Sequence, residues 1–142
     1  MYIEIISKNS RTHIDDAWKL KEEIKDKSGL LRQNKKCFYD VYEQSKVYAA
    51  KDYNDTLIGY ACFIDNNYLS FLAVDVSYQR TGVGRSLIKQ LKKDCDYFYL
   101  HVRISNDNAY KFYINEECSV IQITKSYYEN GEDAYILEYI NK

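Results

Sequence analysis

The stretch from Tyr68 to Arg103 constrains the fold of this chain more than any other. Tyr68–Val76 predicts a strand, a glycine-rich turn follows, and an amphipathic helix then leads to a second predicted strand at Tyr97–Arg103. Two strands of one sheet that are joined through a helix run parallel, and the crossover between them is almost always right-handed. The stretch therefore predicts an α/β domain with at least one parallel pair of strands.

The segments before this stretch predict further strands and two helical regions. A helix is expected after Thr12, which could cap it, because the apolar residues of this segment recur on one helical face. Residues 28–45 predict a short second helix or an ordered loop. Asn/Asp-rich turns separate the next strands, so we expect an antiparallel meander. The predicted strands are Tyr2–Ile6, Lys46–Lys51, Leu57–Ile64 and Tyr68–Val76.

The segments after it predict one more helix, at Asp107–Asn115, and two closing strands on either side of Asn130-Gly131. Those strands are Val120–Lys125 and Ala134–Ile140. The whole pattern predicts a mixed sheet of about seven strands with flanking helices. A chain of 142 residues is long enough for one such domain, spanning residues 1–142.

Composition excludes several classes of function. The formal net charge is -1, and no block of basic residues predicts nucleic-acid binding. No apolar run approaches the ~20 residues that span a bilayer, and the start lacks the pattern of a signal peptide, so we expect a cytoplasmic protein. The four cysteines are far apart in the sequence, which predicts free thiols rather than a metal site.

The glycine-rich turn, Gln79–Ser86, has the chemistry of a phosphate site. A helix start carries unpaired N–H groups and roughly half a positive charge, and glycines let an anion approach that backbone. Arg80 and Arg85 add full charges. The Gly-Lys-Ser/Thr of a Walker loop is missing, and Leu87 stands where a dinucleotide fingerprint needs a small residue. A plain strand-to-helix turn stays open as an alternative.

Two motifs in this order resemble the GNAT acetyltransferase superfamily. Gln79-x-x-Gly82-x-Gly84 after a strand is similar to its acetyl-CoA pyrophosphate loop, and Val102-Arg103-Ile104-Ser105-Asn106 with Ala109 and Tyr113 is similar to its V-R-x-S-N-x-x-A-x-x-x-Y segment. The resemblance implies the GNAT fold and acetyl transfer from acetyl-CoA, with no metal. It also implies that the coenzyme contacts Leu72, Ala73, Val74, Gln79, Arg80, Thr81, Gly82, Val83, Gly84, Arg85, Ser86, Asn106 and Tyr113.

Within that superfamily the chain looks most like the Nα-acetyltransferases of the Met-N-terminus and ribosomal-protein-alanine type. This resemblance implies a peptide or protein N-terminus as acceptor, His101 as a general base and Tyr68 as a second base-like position. It also implies that Phe38, Tyr127 and Tyr128 line the acceptor site. In the loop after the first helix, residues 28–33 stand where the family usually carries Phe-Pro-Val.

The predicted catalytic residues also have ordinary structural alternatives. His101 alternates with Leu100 and Val102, so it faces away from the apolar side of its strand and could reach a cleft, or it could be a hydrogen-bonded strand histidine. Tyr113 is implied to return a proton to the coenzyme A thiolate, but its helical spacing also fits packing. Tyr68 could be a core residue, and Asn106 could cap a helix.

The acceptor is open to alternatives as well. A small-molecule amine or a lysine side chain is the second hypothesis, although a lysine, with a pKa near about 10.4, needs a stronger base than one histidine readily supplies. A non-catalytic acetyl-CoA-binding module is the third hypothesis. The glycine turn is common to all three, whereas His101 and the hairpin tyrosines favour the first.

Overall fold

A computed structural model describes all 142 residues and contains seven strands and four α-helices. The strands are β1 (Tyr2–Ile6), β2 (Lys46–Lys51), β3 (Leu57–Ile64), β4 (Tyr68–Val74), β5 (Tyr97–Arg103), β6 (Ser119–Thr124) and β7 (Ala134–Ile140). The helices are α1 (Ile14–Ser28), α2 (Lys35–Gln44), α3 (Val83–Asp94) and α4 (Asp107–Asn115). None of these helices has the length and apolar character that crossing a membrane requires.

The strand order is β1-β2-β3-β4-β5-β7-β6. It makes β4 and β5 neighbours in a mixed sheet with α3 between them in sequence, so the predicted α/β fold class is confirmed. The chain divides into two compact units, residues 1–89 and residues 90–142. Each unit is described separately below.

The first unit contains the predicted meander. β1 pairs with β2, β2 with β3 and β3 with β4, and all three pairs are antiparallel. The Asp52 side chain accepts the N–H groups of Asn54 and Thr56 at 2.9 and 3.0 Å and so forms the turn between β2 and β3. Asn66 and Asn67 both adopt positive φ in the next turn, a conformation that asparagine tolerates better than most residues.

Helix α1 starts differently from the prediction. Its N-cap is His13, with a φ of 65° and no capping side-chain hydrogen bond, whereas the Thr12 hydroxyl lies 2.9 Å from the Ser10 hydroxyl. The predicted Thr12 cap is therefore wrong, because Thr12 finds a local partner outside the helix. The predicted face is confirmed by the burial of Ile14, Ala17 and Ile24.

The segment after α1 contains an ordered loop and also a helix. Asn34 caps α2 by accepting the Cys37 N–H at 2.8 Å. Phe38 then packs at the centre of an aromatic cluster in the core of the first unit. The centre of its ring lies 5.3–6.1 Å from the ring centres of Trp18, Tyr39, Tyr60 and Phe71.

The second unit contains the end of α3, strands β5 to β7 and helix α4. β7 pairs antiparallel with β5 on one side and with β6 on the other. Side chains alternate along β5, where Phe98, Leu100 and Val102 are buried and the residues between them are partly exposed. This alternation confirms that His101 faces away from the apolar side of its strand.

Candidate active site

The glycine turn occupies the end of β4 and the start of α3. β4 ends two residues earlier than predicted, at Val74, because the Asp75 side chain accepts the Ser77 N–H at 2.8 Å and begins a short 3₁₀ turn. The Gln79 side-chain amide donates to the Val74 carbonyl at 3.1 Å, and the Thr81 hydroxyl donates to the Tyr78 carbonyl. These bonds fix the chain that leads into α3.

Gly82 is the residue on which the geometry of this turn depends. Its φ of 97° is unfavourable for any residue with a Cβ, and an added Cβ would meet no atom within 4 Å. The Gly82 carbonyl accepts the Ser86 N–H at 3.0 Å, which makes it the start of the helical hydrogen-bond ladder. The amides of Val83 and Gly84 come before the first rung, where helices bind anions. The segment Gln79–Ser86 therefore ends in an open helix start, and its role in binding the coenzyme stays a prediction.

Gly59 is a part of this arrangement that sequence reasoning did not identify. A Cβ on Gly59 in β3 would lie 3.0 Å from the Val83 side chain and 3.1 Å from the Ala73 carbonyl. The missing side chain therefore allows Val83, the first residue of α3, to pack closely on Gly59 of β3. An isolated glycine inside a predicted strand was the available signal, since it often marks a close approach.

The other predicted residues of the first unit divide between the two faces of the sheet. Tyr68, Leu72 and Val74 alternate along the partly exposed face of β4, whereas Ala73 faces the core. Phe38 is 0% exposed, so it would support an acceptor site from behind rather than line its surface. The functional roles of these residues stay predictions.

In the second unit, His101 lies directly against the β6–β7 hairpin. Its imidazole stacks on the Tyr127 ring with centroids 4.3 Å apart and an angle of 9° between the planes. Burial lowers the pKa of His101 below its ordinary value, because the cationic form loses hydration. The imidazole is therefore neutral at pH 7 and able to accept a proton. The structure thus brings together His101 and Tyr127, two residues that the sequence placed in one site.

Arg103 contacts two further hairpin residues, Tyr128 and Glu132. Its guanidinium carbon lies 3.9 Å from the centre of the Tyr128 ring, and its Nη1 lies 3.3 Å from Glu132 Oε1. The second Glu132 oxygen accepts the Ser105 N–H at 2.8 Å. Hydrogen bonds from the Ser105 hydroxyl and N–H, with a smaller effect of Arg103, lower the pKa of Glu132. No role for Arg103 or Glu132 followed from the sequence, although an arginine followed by a tyrosine pair and an acidic hairpin residue was a usable signal.

Helix α4 carries the two remaining predicted residues. Asn106 caps it by accepting the Ala109 N–H at 3.2 Å, so its default structural role is present. Tyr113 is buried, and burial raises the pKa of its hydroxyl. After the helix, Glu117 adopts a φ of 72° and Cys118 N–H donates to the Tyr113 carbonyl at 3.0 Å. The turn therefore forms without a glycine at this position.

The first unit thus contains a helix start suited to phosphate, and the second contains a half-buried, neutral histidine beside an aromatic hairpin. Residues 22–118 match the model of the acetyltransferase (GNAT) domain, and the chain belongs to this family.

Several named proteins are similar to the chain in sequence. N-alpha-acetyltransferase 50 of Danio rerio is 30% identical over 120 residues, which cover 74% of this chain and 71% of that protein. The probable N-acetyltransferase san of Drosophila melanogaster is also 30% identical over 120 residues, which cover 74% of this chain and 65% of that protein.

Solved structures show the same fold. The ribosomal-protein-S18-alanine N-acetyltransferase of Escherichia coli superposes with a TM-score of 0.76 at 23% identity, covering 99% of this chain and 96% of that one. Arabidopsis thaliana Naa50, solved in complex with the bisubstrate analogue CoA-Ac-MVNAL, gives a TM-score of 0.75 at 21% identity, covering 97% and 98%.

Proposed function

We propose that this protein transfers the acetyl group of acetyl-CoA to the N-terminal α-amino group of a peptide or protein. The observation that carries this proposal is the imidazole of His101, kept neutral by burial and stacked on Tyr127 of the hairpin. The names of its relatives support the same acceptor, since N-alpha-acetyltransferase 50 of Danio rerio shares 30% identity with this chain.

Acetyl-CoA suits the glycine turn, Gln79–Ser86. The open space at Gly82 and the amides at the start of α3 suit a diphosphate, and Arg80 and Arg85 add positive charge to this turn. When bound, acetyl-CoA supplies the thioester carbonyl that the amine attacks. The residues Gln79–Ser86 would hold its phosphates, and backbone groups of Leu72, Ala73 and Val74 would lie along its arm by family resemblance.

His101 is suited to remove a proton from an α-ammonium group. Such a group has a pKa near about 8, so only a small part of it is neutral at pH 7 and a modest base is sufficient. His101 meets this demand because its lowered pKa keeps the imidazole neutral, with one of its two ring nitrogens unprotonated. The parallel Tyr127 ring restricts rotation of the imidazole and shields one of its faces from water.

We also propose that Tyr113 returns a proton to the coenzyme A thiolate. Burial raises the pKa of its hydroxyl, so Tyr113 keeps its proton throughout the neutral range but is a weaker acid than an exposed tyrosine, and its role in proton return rests on the family resemblance. Tyr68, on the partly exposed face of β4, is proposed as a second base-like residue on the family resemblance. Tyr127 and Tyr128 present aromatic rings on a hairpin whose shape Arg103 and Glu132 fix, and we propose that these rings contact the acceptor.

The experiment that tests this function offers the protein acetyl-CoA and a mixed panel of amines. The panel contains peptides with free N-termini, N-terminally blocked lysine peptides and polyamines, and products are identified by mass. We expect acetylation of free N-termini, with loss of that product in His101→Ala. Acetylation of the lysine peptides or polyamines alone would support the second acceptor class. Coenzyme binding without any product would support a regulatory module.

A further inference from the structure

Glu132, in the loop of the β6–β7 hairpin, is a charged residue whose side chain is only 17% exposed. Its carboxylate makes two bonds that leave the hairpin. One oxygen lies 3.3 Å from Arg103 Nη1, and the other accepts the Ser105 N–H at 2.8 Å. Arg103 ends β5, and Ser105 belongs to the connection between β5 and α4. The side chain of Glu132 therefore joins the hairpin to the end of the strand that carries His101.

The backbone of Glu132 is bonded within the hairpin loop itself. Its carbonyl accepts the Tyr128 N–H at 3.1 Å, and its N–H donates to Asn130 Oδ1 at 3.1 Å. The same Asn130 oxygen lies 3.3 Å from Arg103 Nη1. Because Glu132 has side-chain bonds to the end of β5 and backbone bonds to the loop, it fixes the position of one relative to the other.

A series of ring contacts leads from this junction to the base. The guanidinium carbon of Arg103 lies 3.9 Å from the centre of the Tyr128 ring. The Tyr128 and Tyr127 rings meet edge to face with centroids 5.0 Å apart, and the Tyr127 ring lies flat on the His101 imidazole at 4.3 Å. Tyr127 is 44% exposed, so burial alone does not fix its ring. Its position on the imidazole therefore depends on the Tyr128 ring beside it.

The charge of Glu132 keeps the guanidinium over the Tyr128 ring. The side chain of Arg103 is 10% exposed, and a cation buried to this extent is costly when its partner anion is removed. Glu132 provides that anion. Without it, the guanidinium is stabilised by moving into water, and Tyr128 loses the cation–π contact. The ring against which Tyr127 packs is then free to move.

We propose that Glu132 is a positioning residue for the base, because it fastens Arg103 to the hairpin and so keeps Tyr127 stacked on His101. The catalytic meaning of this inference rests on the proposed function, whereas the stacking can be measured without any activity. The contacts of Glu132 are with the end of β5, the connection after it and the hairpin loop. We therefore expect Glu132 to affect use of the acceptor and not binding of the coenzyme.

NMR of the histidine side chains tests the positioning directly. The chain has two histidines, so the imidazole region of a proton–carbon correlation spectrum contains two sets of signals, which His101→Ala assigns. An aromatic ring that lies flat on an imidazole shifts its C–H signals upfield. At about pH 8, where a histidine is neutral, we expect the His101 signals to move downfield in Glu132→Ala. The His13 signals should stay unchanged in the same spectrum.

Glu129→Ala is the matched control, because Glu129 is exposed in the same loop and takes part in none of these contacts. It should leave the His101 signals unchanged. Tyr127→Ala gives the full size of the effect, since it removes the stacked ring itself. Glu132→Gln keeps the shape of the side chain without its charge. It should move the His101 signals in the same direction as Glu132→Ala, and it provides the test if Glu132→Ala does not fold.

Steady-state kinetics with acetyl-CoA and an acceptor peptide provide the second readout. In Glu132→Ala we expect kcat/KM for the acceptor to fall at least about tenfold, the factor that corresponds to one lost hydrogen bond to a charged group. KM for acetyl-CoA should not change. Unchanged His101 signals in both Glu132 variants, or an unchanged kcat/KM for the acceptor, would overturn the proposal. Absence of acetyl transfer by the wild type would instead refute the proposed function, and the histidine spectra would still decide whether Glu132 positions the ring.

Discussion

Replacing Gly82 with alanine tests whether the start of α3 binds the coenzyme. The new Cβ meets no protein atom within 4 Å, so the cost to the fold comes from the backbone alone. An L-residue at positive φ costs roughly 1–2 kcal/mol. A loss of 1 kcal/mol lowers the melting temperature of a chain of this size by about 2–4 °C. We therefore expect a modest loss of stability.

Coenzyme affinity should fall by more than this strain explains. The Cβ would occupy the open space over the amides, and losing one hydrogen bond to a charged group costs about 1.5–3 kcal/mol, or roughly tenfold or more in affinity. Gly131→Ala is the matched control, since Gly131 has a φ of 84° and the same open surroundings on the hairpin. Calorimetric titration with coenzyme A measures both variants. Equal affinities for the two variants would show that the phosphates bind elsewhere.

The remaining predictions concern the base, its ring partner and a buried lysine. His101→Ala should lower turnover about 10²–10⁴-fold with unchanged coenzyme affinity, and normal turnover would exclude His101 as the base. Activity should fall with decreasing pH as His101 gains a proton, below about pH 6.5 because burial lowers its pKa. Tyr127→Ala should shift the acidic loss of activity to higher pH in a pH–rate profile, because the exposed His101 imidazole becomes hydrated. Tyr127→Phe should not shift it. Identical profiles for the two variants would refute the idea that the Tyr127 ring shields His101 from water. Lys21→Met should lower the free energy of unfolding by about 1 kcal/mol and speed amide hydrogen exchange in residues 29–34, because Lys21 Nζ donates to the Gln33 carbonyl. Lys25→Met should change neither quantity.

Elements with a regular apolar pattern were predictable from the sequence. β5 and α4 have the predicted bounds, because alternation along β5 and a capping Asn106 before α4 act locally. The capping of α1 was not predictable in the same way. Thr12 is a good capping residue by type, but its hydroxyl lies beside Ser10, and the choice between the two partners depends on the path of the preceding loop.

The candidate site was predictable as a set of motifs but not as a set of contacts. Gly82 was identified from its place between a strand and a helix, whereas the role of Gly59 depends on how closely Val83 approaches it across the sheet. The contact of Arg103 with Tyr128 joins residues far apart in the chain. Register brings them together, and register follows from pairing that no local pattern encodes.

The position of Trp18 offers an optical probe of one small region. It is the chain's sole tryptophan, it lies 4.6 Å from Lys21 Nζ, and its ring contacts Phe38. Selective excitation of this indole will therefore report on the junction of α1 and α2 alone, without interference from sixteen tyrosines. Its emission can follow, in an unlabelled sample, whether an acceptor peptide disturbs the loop that Lys21 fastens.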